Sequence, residues 1–520
     1  MAQIQYRANL SAKDFSFLAS KWGRTVIMKQ LDQNFSRQIV SAADPDKDIG
    51  IPQVYYCHNV MPNNGGFQSI FYDLAVPTAL QAGGMSMIHW SVNTNNKTAY
   101  LAYVIQPDGK TLSVYALRST SEAWVYVTNV AWSTSVTVEK VSSATVNGQT
   151  YVYIPYIGCY KYDPDANTFT LVTLTGLTAT DVKGITAAYG YLIAYTRTQV
   201  AWSSTIDPTD FTPSLTTGAG GGSVQDAEGE ITLCVHQIFG FVVFTAKNAV
   251  AAIYSGNARY PFNYRPVVGA GGCVDSELVG LDSESGNLYA WTSSGLQLVG
   301  AQQASLVQPE AANFIGGNVM EDFNDGTLEF QSYTIPQGSL LKKLDVVANR
   351  YLIISYGVIT LTHAIVYDIG MKRWGKLKIQ HERIFTFLDP DVPVDERARH
   401  NIAIFKENGT VYQVRMDIQN NQSNGTIILG KYQYIRNRLI TLQEVDVENI
   451  VDVNSCDVYC IPTLDGKTPL PPVKLTPIGP AGTQNPAYNA RISCQNFSLL
   501  FQGAFDLDSL MLQFINNGRR

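Results

Sequence analysis

The sequence predicts an all-β chain: a β-propeller of about seven blades, with six to eight compatible, flanked by a β-sandwich-like platform domain. Three observations carry that prediction. Charged residues make up only 15% of the 520 positions, against about 25% in ordinary globular chains. The place of charge is taken by Tyr (29 residues), Gly (41 residues), Val, Thr and Ser, which suit pleated, half-buried surfaces and the turns between them. Short apolar runs recur after polar turns, about 40 to 50 residues apart with one gap of about 63, in the range of four-stranded propeller blades.

The N-terminal segment, residues 1–50, lacks the repeat. Ser11 could cap one helical turn in "SAKDFSFLASKW". The acidic "DPDKDIG" does not make a calcium loop, because Ile49 and Tyr55 stand where Gly and Glu are required.

The propeller is expected over 51–416, with hairpins starting near Tyr100, Tyr151, Tyr191, Phe241, Leu288, Tyr351 and Ile402. Two hairpins end alike. "YKYDPDANTF" closes on Tyr-Asp, turns, and resumes at an aromatic, as does "IVYDIGMKRW". Asp163 and Asp368 are expected to accept hydrogen bonds from turn amides, while Phe169 and Trp374 cover the hairpin ends. "AWSSTIDPTDF" is a longer version, with Trp202 before the turn, Phe211 after it, and Ser203 in the place of Asp; Ser255 takes that place in "AIYSGNARYPF". A structural role suffices for all of these residues.

The long gap holds an insertion, 308–326, whose Phe314, Val319, Met320 and Phe323 suggest one short or broken helix, weakened by Gly316–Gly317. Residues 417–520 leave the blade pattern and read as further strands around the Pro-rich stretch 468–486. That stretch is expected to be a loop, either a free tip or a segment docking on another chain. The two flanks are expected to pack together as one platform.

The chemistry lacking from the sequence narrows the function. The net charge is −6 and no Lys/Arg run exceeds two residues, so a sequence-reading nucleic-acid stripe is not expected. There is no apolar signal segment at the start and no 18-residue apolar window. The seven cysteines (57, 159, 234, 273, 456, 460 and 494) are read as buried small hydrophobes; Cys456 and Cys460 share a strand face. The histidines at 58, 89, 236, 363, 381 and 400 show no metal-ligand spacing. The glycine-rich "GAGGGS" and "GAGGC" lack the Lys-Ser/Thr of a phosphate loop. Asp389, Asp391 and Asp395 lie in a Pro-rich loop with nothing to tune them as a catalytic pair. Sialidase boxes, WD and kelch signatures and the GxSxG elbow are missing from the sequence. No catalytic residue, cofactor or metal is expected.

Four phrases taken in order resemble a known family. They are "YYCHNVMPNNGGFQSI"; "VAWSSTIDPTDFTP" leading through a glycine-rich spacer to "GEITLCVHQIFGFVVFTAKNAVAAIYSG"; "YPFNYRPVVGAGGCVDSELV" leading to "GNLYAWTSSGLQLVG"; and, after the insertion, "RYLIISYGVITLTHAIVYDIGMKRWGKL". Over roughly 50–380 the chain resembles the tail hub or nozzle proteins of short-tailed bacteriophages, also called packaged-DNA stabilisation proteins. The resemblance implies a structural virion protein, located in the tail and assembled in the bacterial cytoplasm. It implies a homohexameric ring below the portal and its head–tail adaptor, around a DNA channel that closes in the virion and opens at ejection. Its partners would be further copies of itself, the adaptor or portal, tail fibre, tailspike or tail-tip proteins, and genomic DNA passing without sequence specificity, with no membrane partner. The resemblance implies no enzyme activity and no cofactor. The alternative reading is a monomeric propeller that binds a host-surface glycan or receptor; a propeller hydrolase is disfavoured by the missing carboxylates.

Overall fold

The structure is a computed structural model. It describes residues 8–9, 54–63, 66–76, 85–93, 95–121, 124–132, 138, 140–257, 259–282, 285–307, 320–324, 329–333, 341–371, 373–392, 401–416, 424–433, 438–447, 455–464, 469–479, 486–507 and 509–519.

The second strand of each blade reads as a short, nearly continuous apolar run because both of its faces are covered. Tyr191–Tyr195, Gly240–Thr245 and Tyr351–Gly357 are buried at every position. Such a strand pairs on both edges and packs on both faces, which makes it the centre of a blade. The seven hairpins marked by the sequence are the second and third strands of seven antiparallel blades, six of them separate four-stranded sheets and the sixth in order part of a seven-stranded sheet.

Blade 1 comprises Met85–Val92, Thr98–Ile105, Thr111–Leu117 and Val125–Ala131. Blade 2 comprises Ser142–Val146, Gln149–Ile154, Gly158–Asp163 and Thr168–Val172. Blade 3 comprises Gly184–Ala188, Tyr191–Tyr195, Gln199–Trp202 and Gly220–Ser223. Blade 4 comprises Ile231–Gln237, Gly240–Thr245, Ala249–Tyr254 and Phe262–Pro266. Blade 5 comprises Val279–Leu281, Leu288–Thr292, Gly295–Val299 and Ala304–Leu306. Blade 6 is built on Leu341–Val347, Tyr351–Gly357, Leu361–Asp368 and Arg373–His381. Blade 7 takes Arg383–Thr386, Ile402–Phe405 and Val411–Arg415, and its outer strand is Phe71–Val76. A strand from before blade 1 thus ties the ring shut.

Apolar clusters lie between successive blades. Leu101, Val114, Val152 and Phe169 join blades 1 and 2. Tyr153, Ile185 and Leu192 join blades 2 and 3. Blades 3, 4 and 5 share Ile193, Phe241, Val250 and Leu288. Ile353, Val366 and Ile404 join blades 6 and 7, and Tyr100, Val104, Phe387 and Phe405 close blade 7 onto blade 1.

Two five-stranded sheets form a sandwich beside the ring. One runs Ala8–Asn9, Ser509–Arg519, Arg438–Val447, Ala487–Cys494, Thr476–Ile478; the other runs Val54–His58, Gly425–Gln433, Asn496–Gly503, Cys456–Thr463, Val473–Lys474. Ile427, Leu442, Val458, Cys460, Phe501 and Leu512 fill the space between them. The sandwich is continuous with the ring: Val60–Pro62, Phe67–Ser69 and Asp506–Leu507 extend the sheet of blade 6. A Cβ on Gly375 would run into the Val60 carbonyl and the Pro62 ring, so glycine there lets the seam close.

Three sequence expectations are revised. The propeller does not open at residue 51: Val54–His58 pairs with Gly425–Gln433 in the sandwich, and the ring strands start at Phe71. The cause is long-range pairing, which no local pattern announces. Residues 308–319 of the expected helix lie outside the described residues, but Met320–Asn324 is a strand paired with Glu329–Tyr333.

The Pro-rich stretch is neither a tip nor free where it is described. Val473–Lys474 pairs with one sheet, Thr476–Ile478 pairs with the other, and the buried Leu475 sits between them in the core. Leu475→Ala should therefore cost about 3 kcal/mol, read as a lower urea midpoint for the sandwich. An unchanged midpoint would show that the clasp carries no load.

All seven cysteines are unpaired and buried. Burial pushes the thiols up, to about 12 for Cys57 against the pull of Lys376, and to about 11 for Cys273, where a backbone hydrogen bond at Asp275 and the Lys140 charge only partly oppose it. They stay protonated and unreactive at neutral pH.

Candidate functional site at the propeller axis

The hairpin-end residues lie in different blades and do not converge. In blade 2 the Asp163 Oδ1 accepts from the amides of Asp165 (3.0 Å) and Ala166 (3.1 Å). The Phe169 ring stacks on Tyr160 with centroids 4.8 Å apart. In blade 6 Asp368 is 1% exposed. Its Oδ1 accepts from the Met371 amide at 2.8 Å, and its Oδ2 lies 2.7 Å from both Nε and Nη2 of Arg350. Trp374 pairs with Tyr367 along the backbone; its side chain lies outside the described residues.

In blade 3 the Trp202 Nε1 donates to the Gly218 carbonyl at 3.0 Å, and its ring lies against Gly220. Phe211 is buried with Tyr153 and Leu192. The serine assignment there shifts by one residue. Ser204 Oγ accepts the Ile206 amide at 3.0 Å, while Ser203 Oγ accepts the amide of Leu192 at 2.9 Å. Ser255 Oγ accepts the Asn257 amide at 3.1 Å. Asp389 Oδ1 holds the Asp391 amide at 2.9 Å, and Asp391 Oδ2 holds the Thr120 amide at 2.8 Å, latching blade 7 to blade 1; Asp395 lies outside the described residues.

The charged side chains that do converge surround the axis. First strands of neighbouring blades lie side by side, so they are the innermost of each sheet. Lys140, two residues before the first strand of blade 2, pairs with Asp275, which precedes blade 5. Those blades are three apart in a ring of seven, so the ion pair spans the axis. Asp275 also caps the short 3-10 turn Ser276–Leu278 by accepting from the Glu277 amide at 2.8 Å. Lys343 of blade 6 reaches Glu277 at 3.4 Å and Glu382 at 4.0 Å. Arg383 of blade 7 donates Nε and Nη2 to Asp345 Oδ1 at 3.1 and 2.9 Å.

Burial works against the Glu277 carboxylate, but Arg383, Lys343 and Lys140 outweigh it and hold the group below the usual range. Asp345 is pushed up by burial, against the pull of Arg383. Chemically this is a salt-bridged plug. Asp275, Glu277 and Asp345 each face a cation, and burial pushes Glu382 up against the weaker pull of Lys343. Sequence reasoning missed it. The signal was faint: Lys343 and Asp345 share a face of "LKKLDVV", but their partners are on other blades.

Two histidines, His89 in the first strand of blade 1 and His381 at the end of the fourth strand of blade 6, are held neutral. His381 Nδ1 donates to the Ile379 carbonyl at 2.7 Å, and Nε2 takes a hydrogen bond from Ser355 Oγ at 2.8 Å. Burial lowers His381 to about 4. Burial, then Arg383, lowers His89 to about 4, with Glu277 opposing. The unfolded chain protonates both near pH 6.5. Between about pH 6.5 and 4 the unfolded state therefore binds more protons, and stability is lost as the pH falls through that window. The loss should approach about 3 kcal/mol for the buried His381 and be smaller for the half-buried His89. Urea midpoints at pH 7.5, 5.5 and 4 should fall in that order; a flat profile would contradict buried neutral imidazoles.

No protein-family model matches the chain, and no curated protein matches it. It is similar in structure to YCF48 bound to a D1 peptide, at 10% identity and TM-score 0.40, covering 69% of this chain and 100% of that one. It is also similar to the β-propeller domain of Cps50 (Swd1) from Myceliophteria thermophila, at 11% identity and TM-score 0.38, covering 66% of this chain and 99% of that one. A third likeness is to the extracellular domain of a hybrid two-component system from B. thetaiotaomicron, at 13% identity and TM-score 0.38; it covers 76% of this chain, which spans 47% of the length of that one.

Proposed function

We propose that the chain is a structural subunit of a short-tailed bacteriophage tail, a hub or nozzle protein that assembles as a ring of six around the DNA path. The observation that carries this reading is the fusion of both flanks into one sandwich whose seam strands continue blade 6. A rigid two-module subunit of this kind suits a ring in which sandwiches meet and propellers stand around a lumen. The order of phrases shared with the family supports the same reading. The Lys140–Asp275 pair across the axis leaves DNA to pass between copies, not through one propeller. A chain of net charge −6 offers phosphates few cations, so DNA slides past with little retention. Adaptor or portal proteins would meet the ring on one side and tail fibre, tailspike or tail-tip proteins on the other.

The mass of the purified full chain tests this. A particle of six times 57.2 kDa is expected. A single 57.2 kDa species at every concentration would contradict the ring and favour a monomeric glycan- or receptor-binding propeller.

A further inference from the structure

Blade 1 carries a shallow concavity on its outer half that nothing above uses. It is lined by Gln106, Ser113, Asn129, Tyr115, Tyr126 and the rim residue Asp108, among others. Tyr126 and Asn129 are three residues apart, and on a regular strand they would face opposite sides of the sheet. A β-bulge prevents this. The register runs Val114↔Thr128 and then Tyr115↔Tyr126, which leaves Val127 as the extra residue. The bulge turns Tyr126 to the face that also holds Asn129, opposite Ser113, and Tyr115. Bulges are over-represented at sheet edges, as here, and next to active sites, where they re-aim a side chain.

The polar groups are fixed in one sense. Gln106 Nε2 donates to Ser113 Oγ at 2.7 Å, and Ser113 Oγ donates to Asn129 Oδ1 at 2.7 Å. Ser113 is 3% exposed, so this relay is built into the wall. It leaves Gln106 with its Oε1 acceptor and Asn129 with its Nδ2 donor for a ligand. Beside them Tyr126, 51% exposed, stands edge-on to Tyr115 with centroids 5.8 Å apart. The Asp108 carboxylate is spent on its own turn, accepting from the Lys110 and Thr111 amides at 2.8 and 3.0 Å.

We infer that this concavity binds a neutral saccharide. A sugar hydroxyl both donates and accepts, so neighbouring hydroxyls match one fixed acceptor and one fixed donor. The exposed tyrosine supplies a rigid ring for the C–H face of the pyranose. An anionic ligand finds no cation among the lining groups named and meets the ionised Asp108 at the rim, and an apolar peptide side chain finds no closed pocket. The inference does not depend on ring assembly.

The test is saturation-transfer NMR and calorimetry on the full chain with maltotetraose, cellotetraose, lacto-N-tetraose and tetra-N-acetylchitotetraose. At least one should bind. Tyr126→Ala and Asn129→Ala should each weaken that binding by about tenfold, the loss of one contact, without changing the melting temperature. Binding by none of the four saccharides would overturn the proposal, and so would equal binding by both variants.

Discussion

Arg383→Met should destabilise the propeller by about 3–5 kcal/mol. The guanidinium makes two hydrogen bonds to Asp345 Oδ1, joining the first strands of blades 6 and 7. Asp345 is 8% exposed. Removing the cation leaves a buried carboxylate with Glu277 nearby and only Lys343 to balance it. The cost is mostly that of the stranded charge, so the double variant Arg383→Met/Asp345→Leu should recover much of it. Urea unfolding of the wild type and the three variants measures this as a double-mutant cycle. Additive losses, with no recovery in the double variant, would mean that the pair is not coupled as described.

Trp202→Ala should cost about 3–5 kcal/mol. The indole is 8% exposed, and Phe262 of blade 4 stands at 69° to it with centroids 6.1 Å apart. Its Nε1 bond to the Gly218 carbonyl fixes the start of the outer strand of blade 3. That strand, Gly220–Ser223, has almost no side chains of its own to hold it. Gly220 has only 3.0 Å between an added Cβ and the indole ring. Trp202→Phe keeps the packing and loses the hydrogen bond, so its loss should be smaller. Thermal melting of both variants gives the comparison. A wild-type melting temperature for Trp202→Ala would refute the packing role given to the Trp202 indole.

What was legible in the sequence follows from how each strand is buried. Strands such as Tyr351–Gly357 are covered on both faces, so they stand out as apolar runs and locate the seven hairpins. The turn chemistry at Asp163 and Asp368 was legible because an Asp that accepts amides two or three residues ahead is a local device. Outer strands were not legible. Gly220–Ser223 looks like a linker, yet it pairs with Gln199–Trp202 as the outer strand, and the Trp202 ring leaves no room for a side chain at Gly220. Phe71–Val76 closes blade 7 by pairing with Val411–Arg415, a partner too distant in sequence to leave any periodic trace. The prolines around Leu475 suggested a loop. Pro477 instead stands within a short edge strand opposite Tyr488, and Leu475 is buried between two sheets. The axis network was missed for a similar reason: Lys140 and Asp275 each look like isolated surface charges until the ring brings them together.

Electron cryomicroscopy of the purified full-length assembly tests the central claim most directly. The account predicts a six-fold ring closed through the sandwich domains. The propellers should be arranged around a lumen that lies between copies, with each propeller axis blocked at Lys140 and Asp275. Isolated single chains would contradict it, as would a ring whose open lumen runs along the axis of a propeller.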